Sequence, residues 1–293
     1  MIRMRRTLSK KVSRISWQAW AELLRLPNLF TVPGDILVGW CLTGMRGGFP
    51  FLTIAASLCF YSAGLLLNDF CDAKVDAHER PNRPIPSGRV SRWSVLGVSI
   101  LLMFGGLLLA GVWNLAALAL IALICFYDLI AKHIPWVGVI TMGCCRGMNL
   151  YLGATGAWPI ESAPLSPQLI TAVLFFTLYI VLISIIAKNE ADPRAKVKTH
   201  RFLAPVMTML LVPLFFWFGR GNAWGPLLVA PYMLIFVMRT RQIPQLVAGL
   251  IRFLILLQLL WCTAMYSINM TIVGLFLSLA LAATLLSRHY AGS

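Results

Sequence analysis

Apolar side chains run along this chain in blocks of roughly 20 residues, divided by short polar breaks. The blocks cover 24–45, 49–70, 93–112, 114–130, 135–156, 168–188, 202–219, 224–240, 246–266 and 269–287. An α-helix needs about 20 apolar residues to cross the hydrocarbon of a bilayer. The pattern therefore predicts an all-α, polytopic membrane bundle of nine or ten transmembrane helices around a central cavity. The count stays open because Arg252 interrupts the ninth block, which with the tenth could instead form one span and an interfacial piece. Breaks at 46–48, 113, 219–223 and 267–268 hold only turns, whereas 71–92 and 189–201 are long and charged. Residues 1–22 carry six basic residues with Trp17 and Trp20, then Leu23 and Leu24 follow. That segment is expected to form a basic amphipathic helix at the interface, ahead of one membrane domain over 23–288.

Composition agrees with this picture. Of 293 residues, 59% are apolar and only 12% charged, with mean hydropathy +0.80. A soluble domain carries about 25% charged residues, and a disordered chain has low hydrophobicity; both are excluded. The net charge of +15 suggests nucleic acid until the positions are examined. Of 25 Lys and Arg, 21 fall on the side that holds the N-terminus, Arg46 and Arg220 fall on the other, and Arg146 and Arg252 lie within blocks. This is the positive-inside asymmetry of a multi-pass protein with a cytoplasmic N-terminus, expected in the cytoplasmic membrane. No nucleic-acid partner is implied, and nothing identifies a protein partner. The seven Cys are scattered without metal-ligand spacing and read as apolar fillers. The block after the basic N-terminus is too long for a signal-peptide core, so it is expected to be retained.

Carboxylates number only ten, and most gather at the two charged breaks. Residues 68–89 read NDFCDAKVDAHERPNRPIPSGR. Asp69, Asp72 and Asp76 have i, i+3, i+7 spacing, which on a helix continuing out of the second block puts them on one face. Three such acids repel unless a cation lies among them. Mg²⁺ suits this oxygen-rich set and commonly shares its ligands with substrate phosphates; Asn68 adds a neutral oxygen. Downstream, Arg80, Arg83 and Arg89 supply forked donors suited to phosphate. Pro81, Pro84 and Pro86 exclude helix there and are expected to hold the segment extended. A metal-bound diphosphate head beside apolar helices suggests an isoprenoid diphosphate whose tail lies in lipid. Metal would neutralise the departing diphosphate, and aromatic faces could shelter an allylic cation.

The run N-D-x-x-D-x-x-x-D at 68–76, followed by R-P-x-R-P-I-x-S-G at 80–88, resembles the first signature of the UbiA superfamily of intramembrane prenyltransferases. Nine spans are usual in that family. Tyr127 and Lys132 in YDLIAK resemble its diphosphate-holding Tyr and Lys, and Arg25, Pro27 and Asn28 resemble the start of its first membrane helix. The resemblance implies Mg²⁺-dependent transfer of a prenyl group from its diphosphate to a lipophilic or aromatic acceptor. Asp69, Asp72 and Asp76 would bind metal, and Asn28, Asn68, Arg83, Tyr127 and Lys132 would bind substrate. The family's second Asp-rich signature is altered here: its place reads IAKNEADPRAKVKTHR, 186–201. That stretch echoes the first loop at an offset of 122, with Arg194 at the counterpart of Asp72 and Lys198 at that of Asp76. In one reading Lys188, Arg194, Lys196 and Lys198 grip the diphosphate directly, while Glu190 and Asp192 keep a second metal site. In the other, catalysis is lost and the chain binds lipid or assists transport. An ion-coupled transporter would need more charges along its spans than Asp35, Arg146 and Arg252.

Those charges carry a cost of about 2.5–3.5 kcal/mol each at the centre of a span. Asp35 and Arg146 are expected to approach one another or to share a polar cavity with Asn149, either as a structural tie or in the wall of the substrate site. Asp128, one residue after Tyr127, could take the acceptor's proton or pair with Lys132 at i+4. Gly143, Gly147 and Gly153 allow close helix packing.

Overall fold

The computed structural model describes residues 17–45, 48–156, 165–188, 199–217, 224–265 and 270–289. They form helices joined by turns, with no strand among the described residues. In chain order these are α1 (17–23), α2 (Leu26–Leu29), α3 (Val32–Leu42), α4 (Phe51–Glu79), α5 (Arg92–Ala110) and α6 (Leu115–Leu129). Then come α7 (Val137–Thr155), α8 (Pro167–Ala187), α9 (Leu203–Trp217), α10 (Trp224–Arg239), α11 (Ile243–Met265) and α12 (Met270–His289). Among the described residues, α4, α5, α8, α11 and α12 are long and apolar enough to cross a membrane. The outward faces suit lipid. Leu101, Phe104 and Leu108 on α5 and Leu277, Leu281 and Leu285 on α12 form exposed apolar stripes at helical spacing.

Two expectations about local structure are corrected. The block 24–45, read as a single span, is broken into α2 and α3 by a turn at Phe30–Thr31. Pro33 has no N–H to donate to the carbonyl of Leu29, which disfavours a continuous helix across that point and suits the first turn of α3. The segment after Arg80, expected to be extended, is a chain of turns. Arg83 N–H donates to Arg80 C=O, Ser87 N–H to Arg83 C=O and Gly88 N–H to Ile85 C=O, at 3.0 Å each. Proline's fixed φ suits the second position of a turn as well as it suits an extended chain, and Gly88 takes the positive φ of +72° that a side chain would resist.

α3 is the axis of the bundle: Val32, Gly34 through Gly39 and Cys41 are all buried. It lies against α4, α7, α8 and α11. Its contact with α7 is backbone to backbone. A Cβ on Gly39 would strike the Leu150 carbonyl, and one on Gly153 would strike the backbone of Ile36. Gly143 plays the same part against the Thr177 carbonyl of α8, and Gly147 makes room for the Thr177 hydroxyl. α4 has 29 residues, about 43 Å at 1.5 Å per residue. It therefore crosses the bundle and projects Asp69, Asp72 and Asp76 beyond the apolar part. α1 rests on this projecting end. Leu23 packs with Leu66, Val90 and Val95, and Glu22 pairs with Arg89 at 2.8 Å.

Candidate functional site

An open cavity of about 370 Å³ lies where α4 gives way to the 80–91 turns. It is lined by Asn68, Asp72, Val75, Asp76 and Glu79 from α4, Arg80 and Arg83 from the turns, Arg25 from the α1–α2 junction, Tyr127 from α6, and Lys132 and His133 from the short 3₁₀ turn after it. The helical spacing explains the α4 contribution, since residues 68, 72, 75, 76 and 79 share one face. The turns fold Arg83 back over that face, 14 residues beyond Asp69 and 7 beyond Asp76. Tyr127 and Lys132 reach it because α6 ends beside α4.

Cations and carboxylates alternate around the rim. One nitrogen of Arg83, Nη1, lies 3.2 Å from Asp69 Oδ1 and 2.9 Å from Asp76 Oδ2. Arg25 Nη2 lies 3.6 Å from the same Asp69 oxygen. Lys132 Nζ lies 2.6 Å from Asp72 Oδ1 and 4.0 Å from Asp128 Oδ1. Asp128 is buried behind the cavity wall and accepts a 2.8 Å hydrogen bond from Asn68 Nδ2. The expected i+4 contact with Lys132 is present, but at 4.0 Å it is the longer of that ammonium's two ion pairs.

Does the donor set fit a divalent cation? Two carboxylates, Asp69 and Asp76, already converge on a single positive centre, and every donor on this face is a hard oxygen. Yet among the described residues no three Asp, Glu, His or Cys side chains come together as a cage. Asp72 is drawn toward Lys132 and away from the other two. The arrangement fits an ion held by one or two carboxylates and completed by substrate phosphates, which is how Mg²⁺ is usually bound.

The remaining sequence-derived candidates fall elsewhere. Arg146 and Asn149 do not line this cavity; they belong to a buried network in the bundle. Arg146 Nε is 2.7 Å from Asp35 Oδ2, Asn149 Nδ2 donates to the same oxygen at 2.8 Å, and Ser57 Oγ donates to Asn149 Oδ1 at 2.6 Å. The expected approach of Asp35 and Arg146 is thus observed. Gln258 of α11, which hydropathy alone conceals, completes it by donating to Asp35 Oδ1 at 2.7 Å. Asn28 sits in α2, where its carbonyl accepts from the Thr31 hydroxyl at 2.8 Å. Lys188 caps α8 with its ammonium 5.7 Å from the centre of the Trp136 ring. Glu190, Asp192, Arg194, Lys196 and Lys198 lie outside the described residues. Arg80, expected from sequence to offer donors to phosphate, does line the cavity, whereas Arg25 and His133 had no binding role assigned there; basic side chains outside a motif give little signal until the turns are known.

The family model described as UbiA prenyltransferase family matches residues 36–292. The chain belongs to this family. Membership agrees with the signature at 68–88. Among named relatives, the digeranylgeranylglyceryl phosphate synthase of Methanothrix thermoacetophila is 36% identical over 160 residues, covering 52% of this chain and 57% of that protein. The protein of the same name from Sulfurisphaera tokodaii is 27% identical over 198 residues, covering 63% and 69%. The chain thus spans little more than half the length of the first. A solved structure of a UbiA homologue from Archaeoglobus fulgidus bound to GPP and Mg²⁺ has the same fold, with TM-score 0.61, 15% identity, and coverage of 90% of this chain and 99% of that one.

Proposed function

We propose that this chain is a Mg²⁺-dependent intramembrane transferase that moves a prenyl group from an isoprenoid diphosphate to a lipophilic acceptor. The observation that carries the reading is the rim itself: Asp72 and Asp76 alternate with Arg25, Arg80, Arg83 and Lys132 around one cavity at the end of an apolar bundle. A fixed anion needs only the cations. A metal needs only the carboxylates. A metal–diphosphate headgroup needs both, and its prenyl tail gains roughly 0.8 kcal/mol per buried methylene. Family membership, and the GPP and Mg²⁺ bound by the Archaeoglobus homologue, support the same substrate class.

In this reading Asp69, Asp72 and Asp76 hold the metal, with Asn68 oriented by Asp128. When bound, Mg²⁺ would offset negative charge on the diphosphate as it leaves. The chain's own cations do the rest. Arg83, Lys132, Arg80 and Arg25 take up diphosphate oxygens, and Tyr127 offers a hydroxyl at the same rim. Arg194 and Lys198, on the cation-bearing echo of the first loop, are assigned to the same anion, and Glu190 and Asp192 to a second metal. The allylic carbon–oxygen bond breaks with its electron pair leaving on diphosphate. The acceptor's nucleophile forms the new bond to that carbon, and its proton passes to water or to the released diphosphate. The relatives' name favours an acceptor that itself bears prenyl and phosphate over an aromatic acid. We further assign nine or ten spans, with α1 at the interface and the cavity facing the cytoplasm of an inner membrane.

The test is diphosphate release by the purified full chain supplied with geranyl, farnesyl or geranylgeranyl diphosphate, Mg²⁺ and membrane lipid extract. Release with at least one donor is expected, falling to background with Asp72→Ala or with EDTA. Absence of release with every donor, while donor still binds, would favour a lipid-binding protein of the same fold.

A further inference from the structure

We infer that α2 is a strut clamped at both ends to hold Arg25 in the cavity, and that Arg146 and Gln258 are positioning residues at its far end. The inference rests on the assignment of the cavity to a diphosphate. Arg25 is not a helical residue. Its φ of 46° and ψ of 53° are left-handed, a conformation that is strained for an L-residue with a side chain and persists only where its surroundings over-determine it. The surroundings here do so from two directions.

On the near side, Arg25 N–H donates to the Glu22 carbonyl at 3.2 Å. The Glu22 carboxylate pairs with Arg89 Nη1 at 2.8 Å, and Arg89 Nη2 donates to the Asn82 carbonyl at 2.7 Å. The approach to Arg25 is thereby tied to the same turns that carry Arg83. On the far side, Asn28 N–H donates to the Arg25 carbonyl at 2.9 Å, and the Thr31 hydroxyl donates to Asn28 C=O. The Thr31 carbonyl then accepts two buried donors, Arg146 Nη2 at 2.7 Å and Gln258 Nε2 at 2.9 Å. Both donors are oriented by Asp35, which is fully buried in the first turn of α3. Gly34 makes room for this: a Cβ there would meet the Gln258 amide.

Between Arg25 and Thr31 lie only the four residues of α2, about 6 Å of helix, and its cap residue Phe30. A shift of the Thr31 carbonyl therefore reaches Arg25 through one rigid turn. Arg25 Nη2 ends 3.6 Å from Asp69, at the cavity. This explains the placement of a charged network in the bundle. Satisfying the broken helix at Thr31 needs one donor, whereas fixing its direction needs two from different helices, α7 and α11. A mere structural tie would influence stability and leave diphosphate affinity alone.

The experiment uses the full chain in detergent. Affinity for inorganic diphosphate with Mg²⁺ is measured by calorimetry, alongside KM and kcat for geranyl diphosphate. Arg25→Ala is expected to weaken diphosphate binding about tenfold, as for loss of a hydrogen bond to a charged group. Gln258→Leu, Gly34→Ala and Glu22→Gln should each weaken it at least threefold and raise KM more than they lower kcat. Each should add little to Arg25→Ala in the double variant. Gly34→Ala displaces the Gln258 amide without deleting it, and Glu22→Gln alters a partly exposed pair, so a folding failure of Gln258→Leu does not spare the inference. Wild-type affinity in folded Gly34→Ala and Glu22→Gln, or full additivity with Arg25→Ala, would overturn it. Unaltered diphosphate binding by Arg25→Ala would overturn it too, with the proposed transferase left standing. Shared, non-additive losses in a protein that never turns over a prenyl diphosphate would uphold the strut and sink the transferase.

Discussion

One guanidinium nitrogen between Asp69 and Asp76, and one carboxylate between Arg146 and Gln258, are the two places where single atoms decide the chemistry. The second is the costlier to disturb. Asp35 is wholly buried, and its charge is compensated by Arg146 at 2.7 Å with two neutral amide donors. Removing one member of a buried ion pair costs about 3–5 kcal/mol, because the other is left charged and unpaired. Replacing both with apolar residues is often close to neutral. Arg146→Leu should therefore lower the unfolding midpoint of the purified chain strongly, and Asp35→Leu/Arg146→Leu should recover most of the loss. Equal destabilisation by the single and the double variant would mean that the pair is not what holds this region. The Asp35–Arg146 contact is legible in the sequence, because two opposite charges inside apolar blocks must find partners or face lipid. Gln258 was not. A neutral amide in an apolar run leaves no charge to balance, and its partners lie 223 and 227 positions away.

Helices meet here through glycine. α3 and α7 approach until Gly39 and Gly153 face each other's backbone, and no side chain can be inserted without moving one helix. Gly153→Ala should cost about 1–3 kcal/mol by overpacking, read as a lower unfolding midpoint. Gly97→Ala, in α5 with open space at its Cβ, should cost nothing measurable. A similar loss at both positions would show that close approach is not responsible, since Ala is the better helix former at each. The glycines of α7 were visible as candidates from their spacing, but which neighbour each one meets was not. The break between α2 and α3 was hidden for a different reason. Leu24 through Leu42 is predominantly apolar despite Arg25, Asn28 and Asp35, and Pro33 alone does not say whether a helix kinks, starts or stops. The prolines after Arg80 suggest an extended chain from sequence because their φ is common to both states; only the hydrogen bonds from Arg83, Ser87 and Gly88 separate them.

The molecule as a whole is apolar, and among the described residues its carboxylates other than Asp35 collect at one end, opposite cations on neighbouring elements. That polarity was readable from the charge asymmetry and from the single-face spacing of Asp69, Asp72 and Asp76. What spacing could not convey is that the three acids do not meet. Asp69 and Asp76 share Arg83, while Asp72 is taken by Lys132 from another helix. Among the described residues such a rim is incomplete as a metal cage, and under the proposed function phosphate oxygens would complete it, so that metal binding would depend on diphosphate. Titration of the purified full chain with Mn²⁺ in place of Mg²⁺, followed by electron paramagnetic resonance with and without a prenyl diphosphate, reads that dependence directly. Tight Mn²⁺ binding is expected only when the diphosphate is present, and is expected to be lost in Asp72→Ala and Asp76→Ala. Mn²⁺ bound equally well without diphosphate, or held undiminished by both variants, would contradict the account.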